Sequence, residues 1–395
     1  MQLVEQHIIK KSNPLFKELD RMCFLSKNLY NCALYKVRQY YFDNKKYLSY
    51  ANNVNTLTQE KQIDYISLPR KVSQWVCKQV DLNFKSFFNG LRSKNVNRKV
   101  NLPKYLDKNG RNILTFTNQA ISYKEIKRGY LKLSGCENKI KILHDNVQQV
   151  RVVPQANRYA VEIIYNVPDV EIKTNINCAG IDLGLNNLAT VGGNTITPII
   201  INGRPLKSIN QFYNKKLSKL KSRQHLCKNK NVNKRKIQTL TNKRNNKIKD
   251  YLHKSSRILV NHLVSNDIST IVIGHNKEWK QDINIGKQNN QKFVQIPFNT
   301  FMHMITYKAQ LYGIKVIQRE ESYTSKCSFI DSEEICKHEK YKGNRIKRGL
   351  YKTQIGRLIN ADLNGALNIL KKEIPNAFDG YGIEVCNTPI VLTIK

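Results

Sequence analysis

The chain has 395 residues, with 67 Lys and Arg against 29 Asp and Glu, a formal net charge of +38. Self-repulsion on that scale argues against an enzyme of small metabolites, needing no small-molecule cofactor, and for a polyanionic partner. No apolar run reaches the ~18 residues of a membrane span, no signal peptide is recognisable, and the nine scattered cysteines read as reduced thiols. The chain therefore reads as cytoplasmic, and nucleoid-associated if bacterial.

Leu3 to Ile9 alternates as a strand. Pro14 to about Phe42 follows a helical period, with Leu15, Leu19, Met22, Leu29, Ala33 and Val37 on one face. A connector rich in Tyr and Asn leads to a second helix, Arg70 to Leu91, whose Val72, Val76, Val80, Phe84, Phe87 and Leu91 share a side. Trp75, Phe87 and Phe88 could stack on bases, but their helical spacing favours core packing. Arg92, Lys94, Arg98 and Lys99 could reach phosphates. Between Leu102 and Val167 lie short strands (113–116, 130–133, 150–153 and 159–164) punctuated by Gly110, Gly135 and Pro154, the pattern of a small β-barrel or sheet. Asn166 to Thr174 is expected to be a hinge.

Beyond it the apolar stretch Cys178-Ala-Gly-Ile-Asp-Leu-Gly184 carries one carboxylate, Asp182. An ionised Asp in a central strand needs a cation or hydrogen bonds, so Asp182 is a metal-ligand candidate, or else a strand-end cap on the Gly184 turn. Strands at 188–191 and 195–201 follow. From Lys207 to Arg257 there are 17 Lys and Arg and one acid, Asp250, on helical spacing. This predicts a basic helical hairpin, continuing to about Val264, that tracks phosphate backbones rather than merely facing water. Asp267 to Ile273 reads as a buried parallel strand stopped by Gly274. Pro297 to Tyr312 reads as a helix, and Ile314 to Ser325 as a strand ending in Glu320 and Glu321. Tyr341 to Leu350 is expected to be a basic hairpin. Leu363, Ala366, Leu367 and Leu370 define a helix with Asn360 as N-cap and Asp362 in its first turn. Gly365 within it hints at close backbone approach.

An early strand Asp and a late helix-start Asp match the way RNase H-like nucleases gather carboxylates around divalent metal. Oxygen-only ligands suit Mg2+ or Mn2+. Gly180-Ile-Asp-Leu-Gly-Leu-Asn-Asn-Leu-Ala-Thr190, Tyr323-Thr-Ser-Lys-Cys327 and Asn360-Ala-Asp-Leu-Asn-Gly-Ala366, in this order, resemble the TnpB (OrfB) proteins of bacterial insertion sequences. The resemblance covers roughly the whole chain and is densest from Cys178 to Lys371. It implies an α/β plus α+β fold: an RNase H-like (RuvC) nuclease domain, residues 175–395, behind a β-barrel wedge, residues 1–12 and 101–170. A helical recognition lobe, residues 13–100, is inserted into that wedge. The basic hairpin, 207–264, and a zinc-finger-like insert, 324–359, belong to the nuclease part. The implied partners are a guide RNA and double-stranded target DNA, and the implied activity is RNA-guided DNA cleavage beside a short flanking motif.

Two departures from that family stand out. Its members usually end the 267–273 strand with a catalytic Glu, where this chain has Gly274. Glu278 is one substitute; a better one is Glu321, since in Fanzor proteins and one TnpB branch the Glu has moved to just before the Thr-Ser. Asp182, Glu321 and Asp362 are thus the implied metal-binding catalytic set, with Glu320 on the opposite face by strand alternation. Family members also carry two Cys-x-x-Cys pairs for zinc; only Cys327, Cys336 and His338 remain here, so structural zinc is not expected. Two other functions fit the same residues: a nuclease-dead RNA-guided repressor, and a transposase or recombinase accessory acting without RNA.

Overall fold

The structure, a computed structural model, describes residues 1–93, 100–226, 233–276, 286–381 and 383–394; Lys94, Arg98, Lys99 and Glu278 lie outside them. It divides into two units, Met1–Pro168 and Asp169–Lys395.

In the first unit the chain runs β1 (Gln2–Lys10), α1 (Leu15–Asn44), α2 (Tyr50–Gln59), α3 (Ile63–Ser67), α4 (Arg70–Arg92), β2 (Leu114–Thr117), α5 (Tyr123–Ile126), β3 (Tyr130–Lys132), β4 (Lys139–Lys141), β5 (Val147–Gln155) and β6 (Arg158–Asn166). The connector after α1 thus holds two short helices that its polar composition hides. The expected stripes are buried, Leu15, Leu19, Met22, Leu29, Ala33 and Val37 on α1 and Val72, Val76, Val80 and Phe84 on α4. Phe87 and Phe88 pack edge to face with Phe84, Tyr41 and Tyr47, as core packing requires, whereas Leu91 is exposed.

One expectation needs correction here. The strands form an open antiparallel sheet, β1-β6-β5-β2, beside a β3-β4 ribbon, and not a closed barrel among the described residues. The amphipathic α1 and α4 cover the face a barrel would have enclosed, so helices and sheet share one continuous apolar core, from Ile9 and Leu15 to Val161 and Ile163.

The second unit is built on β7 (Cys178–Leu183), β8 (Asn187–Gly193), β9 (Ile199–Asn202), α6 (Arg204–Leu226), α7 (Lys234–Ser265), β10 (Thr270–Gly274), α8 (Lys287–Val294), α9 (Phe298–Gln310), β11 (Lys315–Arg319), β12 (Asn344–Lys347), β13 (Leu350–Lys352), β14 (Leu358–Asn360), α10 (Ala361–Glu373) and β15 (Ile390–Leu392). Six strands order as β11-β10-β7-β8-β9-β15. β7, β8 and β9 run antiparallel in sequence, while β10 lies parallel to both β7 and β11. β15 extends the sheet from a tail in which the sequence alone suggests nothing.

Helix α10 lies directly on β7. A side chain at Gly180 would run into the Ala366 carbonyl oxygen, and one at Gly192 into Leu363. No described helix is long and apolar enough to cross a membrane.

Candidate active site

Parallel pairing sets the floor of the site. Ile273 pairs with Ile181, so Gly274 stands level with Asp182 at the carboxyl ends of β10 and β7. Binding sites in α/β sheets lie at such strand ends. Asp182 keeps slight solvent access but is enclosed by protein. Burial first, and then the charges of Glu321 and Asp362, raise its pKa well above the ordinary carboxylate range; Arg345 and the Leu183 N–H act the other way. Gly365, the residue the sequence singles out for close approach, provides the room: a Cβ there would sit 3.1 Å from Asp182 Oδ2.

Glu321 arrives from just beyond β11. Its Oε1 accepts a 3.1 Å bond from Asn276 Nδ2, and its own N–H donates to Asn276 Oδ1 at 3.1 Å. Because β10 and β11 stay zipped to their ends, with His275 N–H on Arg319 O at 2.8 Å, the Glu321 carboxylate lies in front of Gly274. A Cβ on Gly274 would stand 2.9 Å from Glu321 Oε2. Glu321 thus occupies the space a side chain at 274 would need. Burial, then the charge of Glu320, pushes its pKa up to about 7. Glu320 points elsewhere, taking Ser322 Oγ at 2.5 Å and Lys372 Nζ at 3.1 Å, bonds that hold its pKa down.

Asp362 opens α10. Asn360 is the N-cap, its Oδ1 accepting from the N–H groups of Asp362 (2.9 Å) and Leu363 (3.1 Å). The Asp362 carboxylate is held from two sides, by Asn187 Nδ2 at 2.6 Å and by the Arg345 guanidinium at 2.8 Å. All three sequence-derived carboxylates therefore meet at one end of the sheet. The arrangement is open. Among the described residues no three His, Cys, Asp or Glu side chains close into a ready-made metal shell, and a side-chain amide or cation sits on each of Glu321 and Asp362.

Asn187, Arg345 and Asn276, and the buried Asn364 and Asn368, were not singled out by the sequence. Asn364 donates to Cys327 O (2.8 Å) and accepts from Phe329 N–H (3.0 Å), while Asn368 donates to Thr324 O and Cys327 O. These bonds clamp the turn behind Glu321 to α10. The available signal was Asn at 360, 364 and 368, every fourth residue of an otherwise apolar helix.

In the finger region, Cys336 Sγ lies 3.3 Å from His338 Nε2 and Cys327 Sγ contacts Cys336 O. Buried Glu333 staples the segment, its two oxygens accepting Ser328 N–H (2.7 Å) and Lys342 N–H (2.9 Å). The Tyr351 hydroxyl donates to Lys326 O at 2.8 Å.

A six-stranded mixed sheet, with Asp182 at the end of a central strand, Glu321 just beyond the edge strand β11 and Asp362 on the covering helix, defines an α/β unit with carboxylates gathered at one end. Residues 162–280 match the OrfB_IS605 family, described as "Probable transposase", and residues 298–369 match the "Cas12f1-like, TNB domain". Over these two stretches the chain is similar to the TnpB (OrfB) proteins and to the Cas12f group. It is 30% identical over 204 residues to the TnpB-like protein ORF457 of Acidianus two-tailed virus, covering 50% of this chain and 42% of that protein. With the CRISPR-associated endodeoxyribonuclease Cas12f2 of a Micrarchaeota archaeon it shares 29% over 236 residues, 55% of this chain and 41% of the relative. The chain thus spans about two fifths of the length of these curated relatives. Solved structures similar to it include a Cas12f1–sgRNA–target DNA complex (16% identity, TM-score 0.37, covering 93% of this chain and 98% of that one). Another is the mini-RNA-guided endonuclease CRISPR-Cas_phi3 (10% identity, TM-score 0.47, covering 98% and 94%).

Proposed function

We propose that the chain is a transposon-associated RNA-guided DNA endonuclease that hydrolyses target DNA with divalent metal, beside a short flanking motif. The observation that carries this reading is the meeting of Asp182, Glu321 and Asp362, with the Glu321 carboxylate in the space in front of Gly274. The donor set fits a hard divalent ion. All the donors are oxygens, and the proton affinity of Asp182 is raised first by burial and then by the charges of Glu321 and Asp362, a desolvated and crowded negative charge that Mg2+ or Mn2+ would offset. Bound by these three residues, two such ions would supply an activated water and charge stabilisation at the leaving oxygen. The protein's own share is orientation. Asn276 and Asn187 aim the carboxylates of Glu321 and Asp362, and the Asn364–Asn368 clamp holds the Glu321 turn against α10. Arg345 pairs with the Asp362 carboxylate, a partner that a bound cation would have to displace.

The charge of +38 and the basic α6–α7 hairpin support guide RNA and target DNA as the partners. Base pairing would then select the sequence, leaving backbone shape and the flanking motif to the protein. A single site would cut both strands in turn.

The test is expression with the flanking genomic DNA, sequencing of co-purified RNA, and magnesium-dependent plasmid cleavage by the wild type and by Asp182→Ala, Glu321→Ala and Asp362→Ala. A discrete bound RNA with cleavage lost in all three variants is the expected outcome. Full activity in Glu321→Ala would overturn the assignment of that residue. The pairing of Asp362 with Arg345 also suits a nuclease-dead, DNA-occupying relative, which would bind a discrete RNA and leave the plasmid uncut. Only random cellular RNA would favour a recombinase accessory acting by protein alone.

A further inference from the structure

Next to the carboxylates three chain segments converge at the start of α10. Asn187 at the head of β8 bonds Asp362. Its neighbour Asn186 receives Gly203 N–H on its carbonyl at 2.7 Å and Lys207 Nζ on its side-chain oxygen at 2.6 Å. Gly203 permits this closeness, since a Cβ there would meet Leu185 O at 2.6 Å. The first turn of α6, with Arg204 and Lys207, is thereby fixed one residue away from the Asn187–Asp362 bond. From the other side, Gly349 O accepts Ala361 N–H at 3.2 Å. That bond pins the β12–β13 turn, and Arg348 in it, to the same helix end.

We infer that Arg204, Lys207 and Arg348 form a cradle for a backbone phosphate of the nucleic-acid strand lying across the carboxylates. This rests on the nuclease reading of the same site and names how that site grips its substrate.

Like charges gather here without acid partners. Among the described residues none of the three cations forms an ion pair with a carboxylate, and Lys207 holds only a neutral amide oxygen. Burial, then the charges of Lys292, Arg348 and Arg204, lowers the Lys207 pKa. So much uncompensated positive charge suits an anion, and the first-turn N–H groups of α6 add to the same positive field. Arg345, on the same hairpin, already pairs with the Asp362 carboxylate. One strand passing over β12–β13 would therefore have a phosphate in the cradle and its neighbour at the carboxylates.

The test is binding of a short fluorescein-labelled single-stranded DNA, followed by anisotropy across a salt series in EDTA, so that neither metal nor turnover enters. Each lost phosphate contact should lower the slope of log K against log salt by about 0.7. Lys207→Gln with Arg348→Gln, which removes the grip on the one cradled phosphate, should therefore lower it by roughly 0.7, and the charge-preserving pair Lys207→Arg with Arg348→Lys should restore it. A matched control at exposed lysines outside the hairpin and the cradle, Lys315→Gln with Lys337→Gln, should leave it unchanged. An unchanged slope in the cradle variant, or an equal loss in the control, would overturn the inference. If the expected slope difference appears while the wild type cuts no DNA with magnesium, the cradle stands and the nuclease reading falls.

Discussion

Glu321→Gln separates the charge of this residue from its shape. Its carboxyl has an ordinary value of 4.5 and is raised by burial to about 7 in the folded chain. A carboxylate with a raised folded pKa keeps a proton on folding between those values. Stability therefore falls as pH climbs from about 4.5 to about 7, and the full cost persists above. At about 1.4 kcal/mol per pH unit, that cost has a ceiling of roughly 3 kcal/mol without metal. Gln is nearly isosteric and can still accept from Asn276, so in EDTA at pH 8 the variant should be more stable than the wild type. For a domain of this size about 2–4 °C accompanies each kcal/mol, so the melting temperature should rise by up to roughly 10 °C. At pH 4 the two proteins should melt together. Magnesium should raise the melting temperature of the wild type at pH 8 and that of Glu321→Gln much less, and plasmid cleavage should be lost. Differential scanning calorimetry in EDTA and in magnesium checks all of this. If Glu321→Gln is no more stable than wild type at pH 8 in EDTA, or melts higher with magnesium by the wild-type increment, Glu321 is not the buried metal-facing carboxylate.

A methyl group at residue 274 should be harmful, because Ile369 Cδ1 lies 2.5 Å and Glu321 Oε2 2.9 Å from where it would be. Gly274→Ala should cost about 1–3 kcal/mol by urea denaturation and displace the Glu321 carboxylate, abolishing cleavage. Arg345→Ala removes a half-exposed ion pair worth under about 1 kcal/mol, so melting should barely change. Mn2+ binding followed by electron paramagnetic resonance should tighten several-fold, because the guanidinium no longer competes for Asp362; weaker binding would mean that Arg345 does not compete. Glu333→Gln turns one acceptor toward a backbone N–H as a donor, a buried mismatch of about 1–3 kcal/mol. Hydrogen exchange at the Ser328 and Lys342 amides should accelerate, while added zinc leaves wild-type exchange unaltered; zinc-dependent protection would contradict the carboxylate staple.

Local chemistry carried much of this protein in its sequence. The burial stripes of α1, α4 and α10, the Asn360 cap, the β7 and β10 strands and the basic α6–α7 hairpin all follow from side-chain period and composition, which act over a few residues. Asp182 and Asp362 were legible for the same reason, an acid in an apolar strand and an acid in a helix's first turn. Glu321 was implied by the family resemblance, yet its fit against Gly274 depends on the β10–β11 register, which no local pattern encodes. Arg345 on Asp362, Asn187 beside it and the approach of Arg204, Lys207 and Arg348 to the same helix end join residues up to 175 positions apart. The open sheet of the first unit and the strand β15 also needed the fold, since a strand's neighbours are chosen by which faces remain uncovered once the helices have packed. Sequence determined which residues carry charge and which face they share; tertiary packing alone decided which charges meet, because pairing across the sheet is set by global burial rather than by any neighbour along the chain.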